Sequence, residues 1–193
     1  MLNFGHVIID LGTGDGRFVY KHALKNPQNL YIGIDPSEKQ LQTYKKKINR
    51  KKLKNALFFA GSLEVLPKDF NYIANELHIV LPWGSLLMYI VKPEKEMIEK
   101  LSGLIKLGGT LVVVLGYSDK FEPKEVARLE IPEIDETLID NTISLKFEEF
   151  GRLELKQRST LKLNELKEIE STWSKKLSFG KNRPIYKLVF VKH

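Results

Sequence analysis

The sequence predicts an α/β fold in which a mostly parallel sheet carries helices on both faces. Three observations carry this reading. Short apolar runs alternate with amphipathic stretches up to Leu115. The first run ends in Asp10 and enters a turn with glycine at every second position, Gly12-Thr-Gly14-Asp15-Gly16. Near the C-terminus the pattern shifts to alternating residues of an antiparallel type. Strands alternating with helices bury a parallel sheet from both sides.

Taken in order, residues 7–10 read as a buried strand and 15–25 as the helix after it. Residues 30–35 repeat the pattern, closing on Asp35. The helix over 37–52 opens on Ser37, with Gln40 as its capping-box partner. Residues 56–60 and 77–81 are further strands. A helix over 94–105 stops at Leu107-Gly108-Gly109 before a strand over 110–115. Beyond Tyr117 the rhythm changes, and a segment of about 117–135 reads as an insertion within a single domain spanning 1–193. A short helix over 123–128 and another over 139–150, broken by Gly151, are expected. Residues 153–161 alternate like an exposed or antiparallel strand. Leu163, Leu166, Ile169, Trp173 and Leu177 recur at helical spacing, so one helix is expected there, ended by Gly180. Residues 184–191 form the last strand. Seven strands, parallel until a C-terminal antiparallel pair, are the layout of the Rossmann-like class I methyltransferases.

The first turn narrows the ligand. Its spacing is G-x-G-x-G, and Arg17 stands where a dinucleotide site needs its third glycine. A ligand without a pyrophosphate, such as S-adenosylmethionine, fits better. Its ammonium suits Asp10 and the turn carbonyls, and its ribose hydroxyls suit Asp35, read here as an unpaired acid. Glu64, after the third strand, is where such folds usually meet the adenine. On these residues alone the alternative is a plain βα turn with helix-capping aspartates.

Bulk properties bound the rest. The chain has 193 residues, enough to bury a sizeable core. It has no cysteine, which excludes disulfides, zinc–thiolate sites and a cysteine nucleophile. His6, His22, His78 and His193 show no metal-ligand spacing. No apolar run is long enough to span a membrane, and a strand begins almost at once, so a cytoplasmic protein without a signal peptide is expected. Charge is concentrated. Eight basic residues and no acid lie between Lys39 and Lys54, and six basic residues and no acid between Ser171 and His193. The net charge is +7, so the remainder of the chain is acidic. Two basic patches on an acidic body imply a polyanion, with nucleic acid favoured over a membrane surface. Two merely solvated faces are the bland alternative.

Two tryptophans stand out. Trp83 lies in Leu81-Pro82-Trp83-Gly84-Ser85-Leu86-Leu87, after the fourth strand, where open α/β sheets present catalytic loops. Trp173 precedes Lys175, Lys176, Lys181 and Arg183, an interleaving that suits a base stacked on indole while cations hold phosphates. A core role is the competing reading for both, and is stronger for Trp173.

The chain resembles the 16S rRNA adenine-N1 methyltransferases of the kanamycin–apramycin resistance type. The matching segments are Ile9-Asp-Leu-Gly-Thr-Gly-Asp-Gly-Arg17, Tyr31-Ile-Gly-Ile-Asp-Pro36, Leu81-Pro-Trp-Gly-Ser-Leu-Leu87, Tyr117-Ser-Asp119 and Trp173-Ser-Lys-Lys-Leu-Ser-Phe-Gly180. The resemblance implies an S-adenosylmethionine-dependent enzyme, active as a monomer, whose partner is the decoding site of the 30S subunit. It implies that Asp10, Gly12, Thr13, Gly14, Asp35, Pro36, Glu64 and Leu81 bind the cofactor. Trp83 and Trp173 would sandwich a flipped adenine. Lys46, Lys47, Arg50, Lys51, Lys176, Lys181 and Arg183 would dock on rRNA phosphates. Two departures are visible: lysine replaces the family's usual arginine at 176 and 181, losing the bidentate fork, and the usual N-terminal extension is nearly absent. The rivals are a tRNA methyltransferase such as a guanine-N7 enzyme, a small-molecule methyltransferase and a non-catalytic RNA-binding relative.

Overall fold

The computed structural model describes residues 4–177 and 183–193; the side chains at 163, 173, 176 and 177 are not among those described. Seven strands form one sheet: β1 (Val7–Leu11), β2 (Leu30–Asp35), β3 (Ala56–Ala60), β4 (Ala74–Val80), β5 (Ile105–Leu115), β6 (Leu153–Thr160) and β7 (Tyr186–Lys192). Their spatial order is β3-β2-β1-β4-β5-β7-β6. The first five are parallel. β7 lies between β5 and β6 and runs antiparallel to both. The chain builds outward from β1 in one direction and then from β4 in the other. The crevice at the C-terminal ends of β1 and β4 is therefore the switch point where open sheets bind ligands.

The pleat sorts the core. Ile8 of β1 packs with Phe18 and Val19 of α1 (Arg17–Lys25) and Ile48 of α2 (Glu38–Lys51). Ile9, its neighbour, faces the other layer, with Leu87 and Ile90 of α3 (Gly84–Val91) and Ile98 and Leu101 of α4 (Lys95–Gly103). Ile9, Leu77, Ile79 and Leu111 have no exposed surface. Truncating one of them to alanine costs about 2–5 kcal/mol, which would loosen the strand ends that carry the site. The remaining helices are α5 (Pro123–Leu129), α6 (Glu136–Leu138), α7 (Leu145–Gly151), α8 (Leu163–Glu168) and α9 (Thr172–Leu177). A π-helical stretch, Ile139–Ser144, joins α6 to α7.

Several sequence expectations are corrected. The single helix expected from 163 to 177 is two. Glu170 has φ 62, and Ser171 starts α9 afresh, its Oγ accepting from the Ser174 N–H at 2.9 Å, as an N-cap serine does. The helix expected to reach 105 ends at Gly103, and Leu107-Gly108-Gly109 belongs to β5. There the pairing with β4 jumps from Ala74–Ile105 to Glu76–Thr110, a bulge rather than a helix stop. α7 runs through Gly151 and ends on Arg152 at φ 53. α3 was not anticipated, because the Trp83 segment reads as loop. Ser37 Oγ does accept from the Gln40 N–H, at 3.4 Å, as an N-cap.

Candidate active site

The turn after β1 is bound to its neighbours before any ligand is considered. The N–H groups of Gly12 and Thr13 donate to the Ile34 carbonyl at 2.8 and 3.0 Å. Gly12 has φ 77, and a Cβ there would sit 2.9 Å from Leu86. Gly16 has φ 82, and a Cβ there would run into the Phe58 ring. The close approach that a dinucleotide site assigns to a later glycine is made here by Gly16, which leaves Arg17 free to carry a side chain.

Asp35 is not the unpaired acid the sequence suggests. Its Oδ2 accepts from the Gly14 N–H and its Oδ1 from the Ser37 N–H, both at 2.8 Å. The acid therefore clasps the glycine turn while each oxygen keeps a further lone pair for a ligand hydroxyl. Asp10 is 3% exposed and accepts from Thr13 Oγ1 at 2.5 Å. Burial pushes its carboxyl up to about 6, against the Thr13 hydrogen bond and the nearby His78. Glu64 Oε1 accepts from Tyr89 Oη at 2.6 Å, while its Oε2 is buried without a hydrogen-bond partner. Burial would raise this carboxyl, but the surrounding hydroxyls of Ser62, Tyr89 and Ser85 hold it at about 2.

The loop after β4 is set by backbone. Leu81 has φ 51, an uncommon conformation for a branched side chain. Its N–H donates to the Val114 carbonyl at 2.8 Å. Trp83 follows in extended conformation as the N-cap of α3, half-buried, with Gly84 at φ 60 behind it. Its indole lines two cavities, the larger one beside the glycine turn and a smaller one bounded by Tyr117, Glu122 and Arg183.

The larger cavity, about 510 Å³, brings the cofactor set together. Asp10, Gly12, Thr13, Gly14, Asp35, Pro36, Glu64 and Leu81 all line it, with Trp83 at its edge. Sequence reasoning missed Gln40, Ser62, Ser85, Tyr89, Ser171 and Thr172, which also line it. Thr172 Oγ1 donates to Asp15 Oδ2 at 2.8 Å, so the start of α9 borders the cavity. Trp173 is the next residue, and its side chain is outside the described set.

The phosphate-docking set is divided. Lys46, Lys47, Arg50 and Lys51 are exposed along α2, with Lys47 Nζ 4.0 Å from the Tyr44 ring centre. Lys181 and the Lys176 side chain lie outside the described residues. Arg183 departs from the expected surface position. Its guanidinium donates to Glu122 Oε1 at 2.6 Å and to the Gly116 carbonyl at 3.0 Å, and its side chain is 10% exposed. In this arrangement it braces the wall behind Trp83, because a shielded arginine beside a carboxylate stays with its partner.

A glycine turn after β1, a clasping acid at the tip of β2 and an aromatic loop after β4, opening on one cavity, define a class I S-adenosylmethionine-dependent methyltransferase. The fit to that cofactor has two local signs: the orphaned Glu64 Oε2 suits an amino donor, and the buried Asp10 carboxylate suits an ammonium. The family follows from comparison with known proteins. Over residues 1–191 the chain matches the family described as NpmA: 16S rRNA (adenine(1408)-N(1))-methyltransferase, and it belongs to that family. It is 32% identical over 197 residues to the 16S rRNA (adenine(1408)-N(1))-methyltransferase of Escherichia coli, covering 96% of this chain and 86% of the relative. Its fold matches that of the aminoglycoside resistance methyltransferase NpmB1 at a TM-score of 0.85, with 34% identity, covering 99% of this chain and 89% of the other. The 16S rRNA methyltransferase KamB gives a TM-score of 0.87 with 26% identity, covering 98% and 89%.

Proposed function

We propose that this enzyme transfers a methyl group to N1 of adenine 1408 in the 30S subunit, and that the product protects the ribosome from aminoglycosides, as the names of its relatives suggest. The observation that carries the reading is the single cavity shared by the cofactor residues and Trp83.

When bound, S-adenosylmethionine supplies an electrophilic methyl group on a sulfonium that is already a good leaving group. The protein's task is then to bind, orient and exclude water. Asp10 holds the ammonium, Asp35 the ribose hydroxyls and Glu64 Oε2 the adenine amino group. Gly12, Thr13, Gly14, Pro36 and Leu81 shape the walls. Adenine N1 offers a lone pair at neutral pH, so no general base is required. N1 lies on the Watson–Crick edge, so the base must leave its stack to react. Trp83 and Trp173 supply the two faces that hold it. The lysines and arginine of α2, with Lys176 and Lys181, hold the rRNA backbone. Arg183 acts through Glu122, stiffening the wall beneath Trp83. The enzyme works as a single-domain monomer in the cytoplasm, where its substrate is.

The test is transfer of label from the cofactor to purified 30S subunits and, separately, to tRNA. Label on the 16S rRNA alone is expected. Label on tRNA alone would support the guanine-N7 alternative, and no transfer to either would support a non-catalytic RNA-binding protein.

A further inference from the structure

Arg17 opens α1, where the helix dipole disfavours a cation, and the first turn of the helix carries no acid. Arg17, Lys21 and Lys25 recur at every fourth residue, so like charges share one face of α1. A carboxylate from the other end of the chain answers them. Glu170 Oε2 accepts from Arg17 Nη2 at 3.3 Å, and Oε1 accepts from Lys25 Nζ at 3.1 Å. Burial would raise the Glu170 carboxyl, but Lys25, Lys21 and Arg17 hold it below its ordinary value. The Arg17 and Glu170 side chains are 22% and 19% exposed, against 59% for Lys25. The shielded pairing with Arg17 therefore carries most of the clasp, since an exposed ion pair contributes little. Arg17 is itself held, its Nη1 donating to Tyr44 Oη at 3.2 Å.

Glu170 is also where the chain changes direction. Leu166 is buried among Val80, Val114 and Ile185, with Ile169 packed against the same group. Glu170 then takes φ 62, a left-handed conformation that a residue with a long side chain rarely adopts. Ser171 and Thr172, which follow, line the cofactor cavity. Thr172 begins α9, to which Trp173 belongs. One residue thus sets the direction in which α9 leaves the core. Such a turn persists where its surroundings hold it, and Arg17 and Lys25 grip its side chain.

We propose that Arg17 and Glu170 are positioning residues for methyl transfer: their pairing fixes the turn before α9 and so aims Trp173 at the target base. The proposal rests on the reading of Trp173 as one face of the site for that base. The pair acts on turnover more than on binding. A base held out of line with the methyl group reacts slowly while the phosphate contacts still dock the enzyme. Arg17 thereby gains a role that the cofactor turn does not give it.

The experiment compares Glu170→Gln, Arg17→Gln, the two together and Glu170→Gly with the wild type. Turnover and KM on 30S, cofactor affinity and melting temperature are measured on each. Glu170→Gln should turn over about tenfold more slowly, with KM and cofactor affinity unchanged. The double variant should be no slower than the slower single one, because both remove the same pairing. Glycine adopts φ 62 freely, so Glu170→Gly should melt no lower than Glu170→Gln yet turn over as slowly. A second readout needs no turnover. The chain has two tryptophans, so in a Trp83→Phe background the indole emission comes from Trp173 alone. Adding Glu170→Gln to that background should raise its quenching by acrylamide. Full turnover in Glu170→Gln, additive losses in the double variant or unchanged quenching would overturn the proposal, while an active wild type leaves the rRNA reading standing. Slower turnover matched by lower melting in Glu170→Gln and Glu170→Gly alike would make the pair structural and also overturn it. A wild type that leaves 30S unmethylated would overturn the rRNA reading and the proposal with it.

Discussion

Thr172 Oγ1 donates a 2.8 Å hydrogen bond to Asp15 Oδ2, tying the first residue of α9 to the turn that follows β1. The two residues are 157 positions apart. Asp15 Oδ1 meanwhile accepts from the Arg17 N–H at 3.2 Å at the start of α1. One carboxylate thus orients both the cofactor turn and the segment that carries Trp173. Thr172→Val keeps the shape and removes the hydroxyl. It should leave melting within about 1 kcal/mol and lower turnover on 30S by roughly tenfold, since a base held loosely reacts slowly. Thr172→Ser should restore turnover. A Val variant as active as wild type would separate α9 from the cofactor turn.

With Asp10 proposed to hold the cofactor's ammonium, cofactor binding should depend on pH. Its folded value, about 6, is raised above the ordinary carboxylate value. The sign follows: the folded state holds this proton more tightly, so this group's contribution to stability is greatest below about pH 4 and declines as pH rises from about 4 to about 6. The loss is about 3 kcal/mol at most, and above about pH 6 it is constant. A bound ammonium favours the carboxylate, so affinity for S-adenosylmethionine should fall as pH drops below about 6. Calorimetry at about pH 5.5 in two buffers of different ionisation enthalpy should show proton release on binding, and Asp10→Asn should abolish it. Equal heats for the wild type in both buffers would take the ammonium away from Asp10.

Asp35 clasps the glycine turn and is proposed to hold the ribose, two functions that one substitution confuses. Asp35→Ala strands the Gly14 and Ser37 N–H groups, each at about 1–3 kcal/mol, so it should melt early as well as bind poorly. Asp35→Asn keeps one acceptor oxygen. It should recover part of the thermal stability while affinity stays reduced, because a ribose hydroxyl loses its charged acceptor. Differential scanning calorimetry and titration of the same two proteins distinguish these effects. Normal affinity in Asp35→Asn would exclude the ribose contact.

Docking through α2 should be electrostatic. Lys46, Lys47, Arg50 and Lys51 are exposed, and reversing all four should abolish 30S binding while cofactor affinity is kept. Wild-type affinity should fall steeply between about 50 and 200 mM salt, by orders of magnitude for several phosphate contacts. A flat salt titration would reduce the patch to a solvated face.

The parts of the fold that were legible in the sequence are those where period and burial agree. The strands 30–35 and 56–60 match β2 and β3 residue for residue, because both are short apolar runs bounded by polar turns. The glycine turn and its two acids were legible because backbone geometry constrains composition there. The break at Glu170 was not, since Leu163, Leu166 and Ile169 continue the helical period with residues beyond it. What interrupts the helix is tertiary: Glu170 is held by Arg17 at 3.3 Å and Lys25 at 3.1 Å. The pairings of Tyr89 and Arg183 were hidden for a similar reason. Their partners, Glu64 and Glu122, are distant in sequence, and only the fold brings them within hydrogen-bonding range.

The most direct test of the account is reverse transcription through 16S rRNA from 30S subunits treated with the wild type and with Trp83→Ala, because a methyl group at N1 blocks the pairing edge and stops the polymerase. The wild type should give one new stop, immediately 3′ of adenine 1408. Trp83→Ala should bind 30S and S-adenosylmethionine normally yet give a stop weakened about 5- to 150-fold, the loss of about 1–3 kcal/mol of stacking, with Trp83→Phe intermediate. A stop at any other position, or a full-strength stop with Trp83→Ala, would contradict the account.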